Sequence, residues 1–289
     1  MRDIPTSPRI IEIKRKRRAL RIKLGILFVV LFVGIVWLLS FLSSIKNITI
    51  NEITIMGTHI VDQTDIESVV RKNLSGKYLY LFPKSNSLIY PHNKISKDLI
   101  ATFSRIKTLS VYIDSLNTLR IEITERKGEY LYCGATVPEN KNEVGENCYF
   151  INNDGFIFDK APYFSGNVFF KYYVKVGDGA ADPLGKQMLS KDEFQTMVRF
   201  IDSVAELGFR PTYLEMNSEE GTNYLYLNHS PSGTKPRIIF KNSDNLVLLE
   251  ENMAIAMKKK EFADEINSKY NALQYIDLRF KNKVLYKFQ

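Results

Sequence analysis

The hydrophobic pattern contains one uninterrupted apolar segment, which runs from Leu24 to Ile45 without a charged residue. As an α-helix it would rise about 33 Å, enough to cross a hydrocarbon core of roughly 30 Å. A core helix of a soluble protein would carry a polar face, and this segment has none. A cleaved signal peptide usually has a shorter apolar region that ends at a small-residue cleavage site, which is not found here. The pattern therefore predicts an uncleaved transmembrane helix at residues 24–45.

Positive charge is concentrated on one side of this segment. The first twenty residues after it contain a single basic residue, Lys46. Because basic residues stay on the cytoplasmic side, we expect a cytoplasmic tail at residues 1–23 and an extracytoplasmic body. The alternative, a nucleic-acid-binding arm, is weak next to a membrane span. The basic residues just before the span are Lys14, Arg15, Lys16, Arg17, Arg18, Arg21 and Lys23.

The formal net charge of +8 comes mostly from this tail, so it does not indicate nucleic-acid binding by the body. Aromatic residues make up 12% of the chain, and Gly and Pro are not enriched. This composition is typical of packed domains and not of a disordered stalk.

Residues 46–126 change twice between the period of strands and the period of helices. The order predicted is strand, helix, helix, strand, strand, with Thr64-Asp65-Ile66-Glu67 as a capping box before the first helix. Two helices can cover one face of a three-stranded sheet, which gives a small α+β domain. The apolar positions are Ile48, Ile50, Ile53 and Ile55; Ile66, Val69, Val70 and Leu74; Ile95, Leu99, Phe103 and Ile106; and Leu109, Val111, Ile113, Leu119, Ile121 and Ile123.

Residues 127–289 form the second predicted domain, in which short strands dominate. The segment Cys148–Phe158 has an Asn/Asp-Gly turn at its centre, which predicts a hairpin. Two helices are predicted, one after the capping box Ser190–Glu193 and one from about Asp244 to Glu261 or as far as Lys269. The predicted fold class is thus α+β, with a β-rich second domain that carries two helices.

The two cysteines, Cys133 and Cys148, flank a polar segment whose two ends resemble strands. An exported domain permits a disulfide, which would staple the base of a long hairpin loop. Two free thiols are the alternative. No histidine pattern accompanies either residue, so a catalytic cysteine is not expected.

No catalytic, cofactor or metal motif is found in the sequence. His59, His92 and His229 are far apart and lack metal-ligand spacing, and there is no P-loop or nucleophile elbow. We therefore expect no catalytic residue, no cofactor, no metal and no small-molecule substrate. A carboxylate pair assembled only by the fold would escape this search.

The element order after the span resembles the polypeptide-transport-associated (POTRA) domain, and the whole arrangement resembles the FtsQ/DivIB family of bacterial cell-division proteins. The string Tyr275–Phe280, which reads Tyr-Ile-Asp-Leu-Arg-Phe, is the most specific likeness. Ile53–Thr58, Leu119–Arg126 and Cys148–Phe158 are similar to further segments of that family. This chain departs in the Cys-flanked insertion and in Lys241-Asn242-Ser243-Asp244, where the family usually has a glycine.

The resemblance implies domains at residues 46–126 (POTRA) and 127–289 (FtsQ/DivIB-type β domain). It further implies a non-enzymatic, single-pass scaffold at the division septum that binds FtsB- and FtsL-type membrane proteins. A membrane-anchored cell-wall hydrolase or transferase is the alternative from another functional class. A translocation-type chaperone that uses a POTRA domain alone is a weaker third hypothesis.

The predicted partner site is the last strand, Val284, Leu285, Tyr286, Lys287 and Phe288, which follows a tight turn after Tyr275–Phe280. A last strand with no later strand beside it would expose N–H and C=O groups, which invite strand addition. In the family the corresponding strand accepts FtsB in this way. Tyr286 and Phe288 would then supply aromatic anchors. The alternative is a blunted edge, on which Lys283 and Lys287 prevent aggregation.

Overall fold

The structure is a computed structural model that describes residues 8–138, 147–164, 167–177, 182–217, 219–228 and 235–289, with the backbone alone for residues 8–14. The chain divides into two compact units, Met1–Glu125 and Arg126–Gln289. It is a mixed α+β protein in which one N-terminal apolar helix precedes a sheet-rich region, so this part of the predicted fold class is confirmed.

The first helix, α1, runs from Pro8 to Ser43, and its portion Arg15–Ser43 is long and apolar enough to span a membrane. Its large side chains are exposed along its length; Phe28 and Trp37, for example, are each 69% exposed. A bare apolar helix of this length is stable only in an apolar surrounding such as lipid. The helix ends at Ser43 and not at the predicted Ile45, because Ile45 has an extended backbone.

The rest of the first unit is a three-stranded sheet with two helices and a short hairpin. Strand β5 is central, parallel to β1 and antiparallel to β4. The bounds are β1 Glu52–Met56, α2 Gln63–Leu74, β2 Lys77–Tyr78, β3 Phe82–Pro83, α3 His92–Thr102, β4 Ile106–Ser115 and β5 Thr118–Glu125.

The two helices of this unit bury their apolar sides on one face of the sheet. Ile66 of α2 and Ile95 of α3 are fully buried with Ile121 of β5. The predicted capping box at Thr64 is wrong, because the helix begins earlier: Asp62 is the N-cap, and its carboxylate accepts a hydrogen bond from the Thr64 N–H. Asp62 offers this acceptor two residues sooner, so Thr64 already lies inside the helix.

The second unit is built on one sheet, which has nine strands within the described residues, in the order β14-β13-β12-β11-β10-β9-β6-β7-β8. The bounds are β6 Tyr130–Tyr132, β7 Tyr149–Ile151, β8 Ile157–Lys160, β9 Lys171–Val174, α4 Lys191–Glu206, β10 Pro211–Asn217, β11 Thr222–Leu227, β12 Arg237–Lys241, α5 Leu246–Lys258, α6 Lys260–Ser268, β13 Leu273–Asp277 and β14 Leu285–Phe288.

Helices α4, α5 and α6 cover one face of this sheet and close its core. The predicted capping box of α4 is confirmed, with Ser190 and Glu193 bonded reciprocally. The prediction of two helices in this domain is wrong, since the last one is divided at Lys259, whose backbone is extended.

The physical reason for the break is the position of the buried residues. Met253 of α5 and Ile266 of α6 are both about 1% exposed. In a continuous helix of 3.6 residues per turn, these two positions would lie about 140° apart around the axis. The break at Lys259 lets each helix turn its own apolar side to the core.

A disulfide joins Cys133, just after β6, to Cys148, just before β7, with a Cα–Cα distance of 4.2 Å. Its sulfur atoms belong to a small apolar cluster with Leu131, Ala161 and Phe150, which is separate from the main core. The bond therefore continues the β6–β7 pairing by one position and closes the base of the loop between these strands.

Replacing both cysteines by serine should lower the free energy of unfolding by about 3 kcal/mol, the chain-entropy value for a loop of this size. Urea unfolding followed by circular dichroism measures this loss. Dithiothreitol should destabilise the parent by a similar amount and leave the double variant unchanged. Equal stability of parent and variant without reductant would contradict the prediction.

Candidate partner-binding edge

Strand β14 forms one end of the sheet of the second unit. It pairs with β13 in antiparallel fashion, with Ile276 opposite Tyr286 and Asp277 opposite Leu285. Of the predicted site residues, Leu285, Tyr286, Lys287 and Phe288 form this strand, and Val284 lies just before it. Within the described part of the chain, no strand pairs with the outer side of β14.

The opposite end of the sheet, β8, is partly covered. The Ile157 N–H donates to the carbonyl of Lys186 at 2.9 Å, and the Ile157 carbonyl accepts from the Gly185 N–H at 2.9 Å. A non-strand segment therefore satisfies backbone groups at that edge, as proteins often do to prevent edge-to-edge pairing. Of the two edges, β14 is the one left open by the described residues.

The alternation of a strand tells which backbone groups of β14 point outward. The Gln289 N–H donates to the carbonyl of Ala272 at 2.8 Å, towards β13. Because successive residues of a strand direct their N–H and C=O groups to opposite sides, Lys287 and Leu285 also bond inward. The N–H and C=O groups of Tyr286 and Phe288 are therefore the ones that line the outer edge.

The side chain of Tyr286 fixes the strand against α6. Its ring packs at 5.1 Å from that of Phe262, and its hydroxyl donates to Glu265 Oε2 at 2.6 Å. The Lys269 ammonium binds the other oxygen of Glu265 at 2.8 Å and lies 5.4 Å above the ring of Phe288. These contacts hold β14 in place while its backbone remains open on the outer side.

The same contacts shift two pKa values on the surface of the unit. The hydrogen bonds from Lys269 and Tyr286 to the Glu265 carboxylate lower its pKa, because they stabilise the charged form. The hydrogen bond to Glu265, aided by desolvation, raises the pKa of the Tyr286 hydroxyl. At neutral pH the pair is therefore a carboxylate and a neutral phenol, the states that this hydrogen bond requires.

Leu285 and Lys287 lie on the other face of the sheet, as the alternation of the strand predicts. Leu285 is 44% exposed, whereas Val284 and Phe288 are half-buried and pack against the main core. The predicted aromatic anchors, Tyr286 and Phe288, are thus already packed within the chain. Leu285 is the most exposed apolar side chain of the strand, ahead of Tyr286 at 36%.

An ion pair shapes the connection from β13 to β14. Asp277 is 5% exposed, and the Arg279 guanidinium reaches its Oδ2 at 2.6 Å and its Oδ1 at 2.9 Å. Burial alone would raise the pKa of Asp277, but the hydrogen bonds from the side chain and the N–H of Arg279 outweigh it, so the pKa lies below its usual range.

Beyond the pair, the Lys283 N–H closes a turn onto the carbonyl of Phe280. Asn282 supplies the positive φ, 56°, that this turn needs.

Two of the three histidines, His59 and His92, lie among the described residues, in different parts of the first unit. His59 lies beside Glu125, which accepts its backbone N–H, and His92 begins α3. His229 falls outside the described residues. Among the residues that are described, no group of three or more His, Cys, Asp or Glu side chains could hold a metal ion.

Comparison with protein-family models and with curated proteins finds no match to this chain. Function is therefore inferred from the geometry of the edge.

Sequence reasoning located the last strand but missed what supports it. Phe262, Glu265 and Lys269 were not singled out, because the last helix was predicted as continuous and its inner side was not assigned. The pair Asp277 and Arg279 had a signal, since residues two apart on a strand lie on the same face and these carry opposite charges.

The ion pair should make the β13–β14 connection sensitive to acid. Because the folded pKa of Asp277 is depressed, its stabilisation is fully present above the ordinary value of 3.8 and is lost as the pH falls through the folded pKa. Asp277→Asn should reduce the free energy of unfolding at pH 7. It should also make that free energy depend less on pH in the acid range where Asp277 titrates. Urea midpoints of parent and variant between pH 7 and 2 measure the effect. Parallel profiles would contradict it.

Proposed function

We propose that this chain is a non-enzymatic, single-pass membrane scaffold of the bacterial cell-division machinery, of the FtsQ/DivIB type. Its partners are FtsB- and FtsL-type membrane proteins, and it links early and late components at the septum. The observation that carries the proposal is the open outer edge of β14, positioned by α6 and the Asp277–Arg279 pair.

Strand addition would give a role to an edge that side chains hold in place and that has no outer strand among the described residues. An extended partner segment would exchange hydrogen bonds with the N–H and C=O groups of Tyr286 and Phe288, as in other β-augmentation complexes. Each such bond contributes only about 0.5–1.5 kcal/mol net. Since β14 has four residues, side-chain contacts must supply much of the affinity. Leu285 is the apolar side chain available for this on the face away from α6.

The anchor and the element order support the same proposal. Helix α1 is suited to cross the membrane, and the basic residues before the apolar run favour a cytoplasmic N-terminus and an extracytoplasmic body. The order of the first unit after α1 has β1, α2, α3, β4 and β5 in the sequence that a POTRA domain has, with a small hairpin inserted between the helices. In this proposal the sheet-rich second unit corresponds to the family's β domain.

The two functional classes differ in what the full-length chain should do. A scaffold binds its partner and leaves peptidoglycan intact, whereas an anchored cell-wall enzyme would turn it over. Turnover of purified peptidoglycan by the parent chain would therefore contradict the non-enzymatic part of the proposal.

Strand addition is tested with two variants at one position. Tyr286→Pro removes an outward N–H together with the ring, and Tyr286→Ala removes the ring alone. Against the extracytoplasmic segment of the FtsB-type protein of the same organism, Tyr286→Ala should bind more weakly than the parent, because it loses the contacts with Phe262 and Glu265 that hold the strand. Tyr286→Pro should bind about tenfold more weakly than Tyr286→Ala, because a partner carbonyl loses its donor. Calorimetric titration of the full-length chain in nanodiscs measures both constants.

Circular dichroism must show the same folded content for both variants. If Tyr286→Pro binds as tightly as Tyr286→Ala, the partner does not add to this edge. Leu285→Pro is a further control, because its N–H points towards β13. It should reduce stability as well as binding.

A further inference from the structure

A hairpin in the first unit is bonded directly to the last turns of α1. The Ser40 hydroxyl donates to the carbonyl of Leu81 at 2.8 Å. The amide of Asn86, which is 3% exposed, donates to the carbonyl and hydroxyl oxygens of Ser43, each at 2.9 Å. Ser40 lies within the apolar run that ends at Ile45. The hairpin is therefore level with the end of the apolar helix.

The tip of this hairpin has two features that its fold does not require. The Leu81 N–H donates to the carbonyl of Tyr78 at 2.9 Å, which closes a turn with Leu79 and Tyr80 at its centre. Both central residues have positive φ, 48° and 63°, which favours Asn and Gly and disfavours bulky side chains. Leu79 is 83% exposed and Tyr80 is 96% exposed. A strained turn thus presents an aliphatic and an aromatic side chain to its surroundings.

We propose that the hairpin Lys77–Lys84 inserts its tip into the outer interface of the bilayer that α1 crosses. Leu79 reaches the acyl boundary, and the ring of Tyr80 lies at the level of the head groups, where tyrosine is enriched. Lys77 and Lys84 flank the tip and suit lipid phosphates. The inference rests on the proposed membrane crossing of α1. It gives the first unit a second point of attachment, which limits its rotation about the helix axis.

The chain has one tryptophan, Trp37 in α1, which provides an internal reference. Full-length protein is placed in phosphatidylcholine/phosphatidylglycerol vesicles that contain phosphatidylcholine brominated near the head-group end of its acyl chains. The reporter variant is Trp37→Phe with Tyr80→Trp. The matched control is Trp37→Phe with Ile60→Trp, since Ile60 is 68% exposed in the same unit and lies beyond the far end of β1.

We expect quenching of at least about twofold at position 80 and none at position 60. Quenched Trp37 in the parent with no quenching at position 80 overturns the hairpin proposal alone. If brominated lipids at any depth leave Trp37 unquenched, the membrane crossing itself is wrong.

Leu79→Asn with Tyr80→Gly suits the turn better and should keep or raise the thermal midpoint in detergent. A lower midpoint would mean that the two side chains serve the fold, which also overturns the proposal.

A second inference comes from an independent feature, a cavity of about 620 Å³ in the second unit. It lies between the sheet and the N-terminal ends of α4 and α5. Strands β9, β10 and β12 run in the same direction and end beside it, and they contribute Val174, Met216 and Lys241 to its wall. In open sheets covered by helices, this end of the strands is the usual place for ligands, and the volume lies within their usual range.

The lining combines adaptable apolar side chains with one buried acceptor. Met188, Met197 and Met216 contribute to its wall. Asn223 of β11 lies opposite Met216 and Phe240, on the face that the helices cover, and is 1% exposed. Its Oδ1 has no hydrogen-bond partner among the described residues. A buried acceptor without a donor is costly and indicates a missing partner.

We infer that this cavity binds a peptide-type ligand. A backbone N–H of the ligand donates to Asn223 Oδ1, and an aliphatic side chain lies among the methionines, which adapt to varied apolar shapes. Lys175 and Asp192 at the cavity provide charges of both signs, which suit the polar backbone of a peptide. A lipid acyl chain fits this lining less well, since it brings no donor for Asn223.

The probe is N-acetyl-L-leucinamide, and the control probe is methyl 2-acetoxy-4-methylpentanoate, which has the same side chain and no N–H. Full-length chain labelled with ¹³C in its methionine methyl groups is titrated with each up to about 10 mM, since small ligands bind weakly. The amide should shift Met188, Met197 and Met216 and leave Met56 of β1 unchanged. The ester should shift none of them.

Asn223→Leu should abolish the response to the amide and keep or raise the thermal midpoint, because it removes an unpartnered buried acceptor. No response of the parent to the amide overturns the site. Equal responses to amide and ester, or an unchanged response in a folded Asn223→Leu variant, overturn the role of Asn223.

Discussion

The need to pair every backbone N–H and C=O that leaves water governs this chain. Helix α1 meets the need within itself, which is why a segment with exposed apolar side chains along its length can enter lipid. The sheet of the second unit meets it between strands, except at its two ends. The two ends differ: the segment around Lys186 bonds to β8, whereas no described strand pairs with the outer side of β14.

An open edge is useful for recognition only if it keeps its shape. A strand of four residues at the end of a sheet would fray on its own, because its outward N–H and C=O groups have no partner among the described residues. Here Glu265 is the centre of a small network that joins α6 to Tyr286 and Lys269. On the other face, the ion pair between the buried Asp277 and the partly exposed Arg279 sets the path into the strand. Side-chain contacts therefore hold the strand, and its outer N–H and C=O groups have no partner within the described part of the chain, as the proposed strand addition requires.

The hairpin at Leu79 and Tyr80 and the cavity at Asn223 share one property, which is an energetic cost within the fold. In each, the folded chain accepts a cost that its own contacts do not offset: a positive φ at two bulky residues, or a buried carbonyl oxygen without a donor. Such costs persist where something outside the fold offsets them. The two features lie in different units, so each supports its own inference.

Much of the chain was predictable from sequence because it depends on residues close together along the backbone. The apolar run of α1, the alternation of β4 and β5 and the capping box at Ser190 involve neighbours within a few positions, and each was predicted.

The position of β6 between β7 and β9 depended on competition among strands far apart in sequence. The break at Lys259 was invisible for a related reason, since only the packed core requires Ile266 to face inward. Tyr286 meets Glu265 across 21 residues, and Asn223 loses water only when α4 and α5 close over the sheet. Local chemistry thus determined which elements form, whereas the packing of distant elements decided which edge stays open and which polar atom stays unpaired.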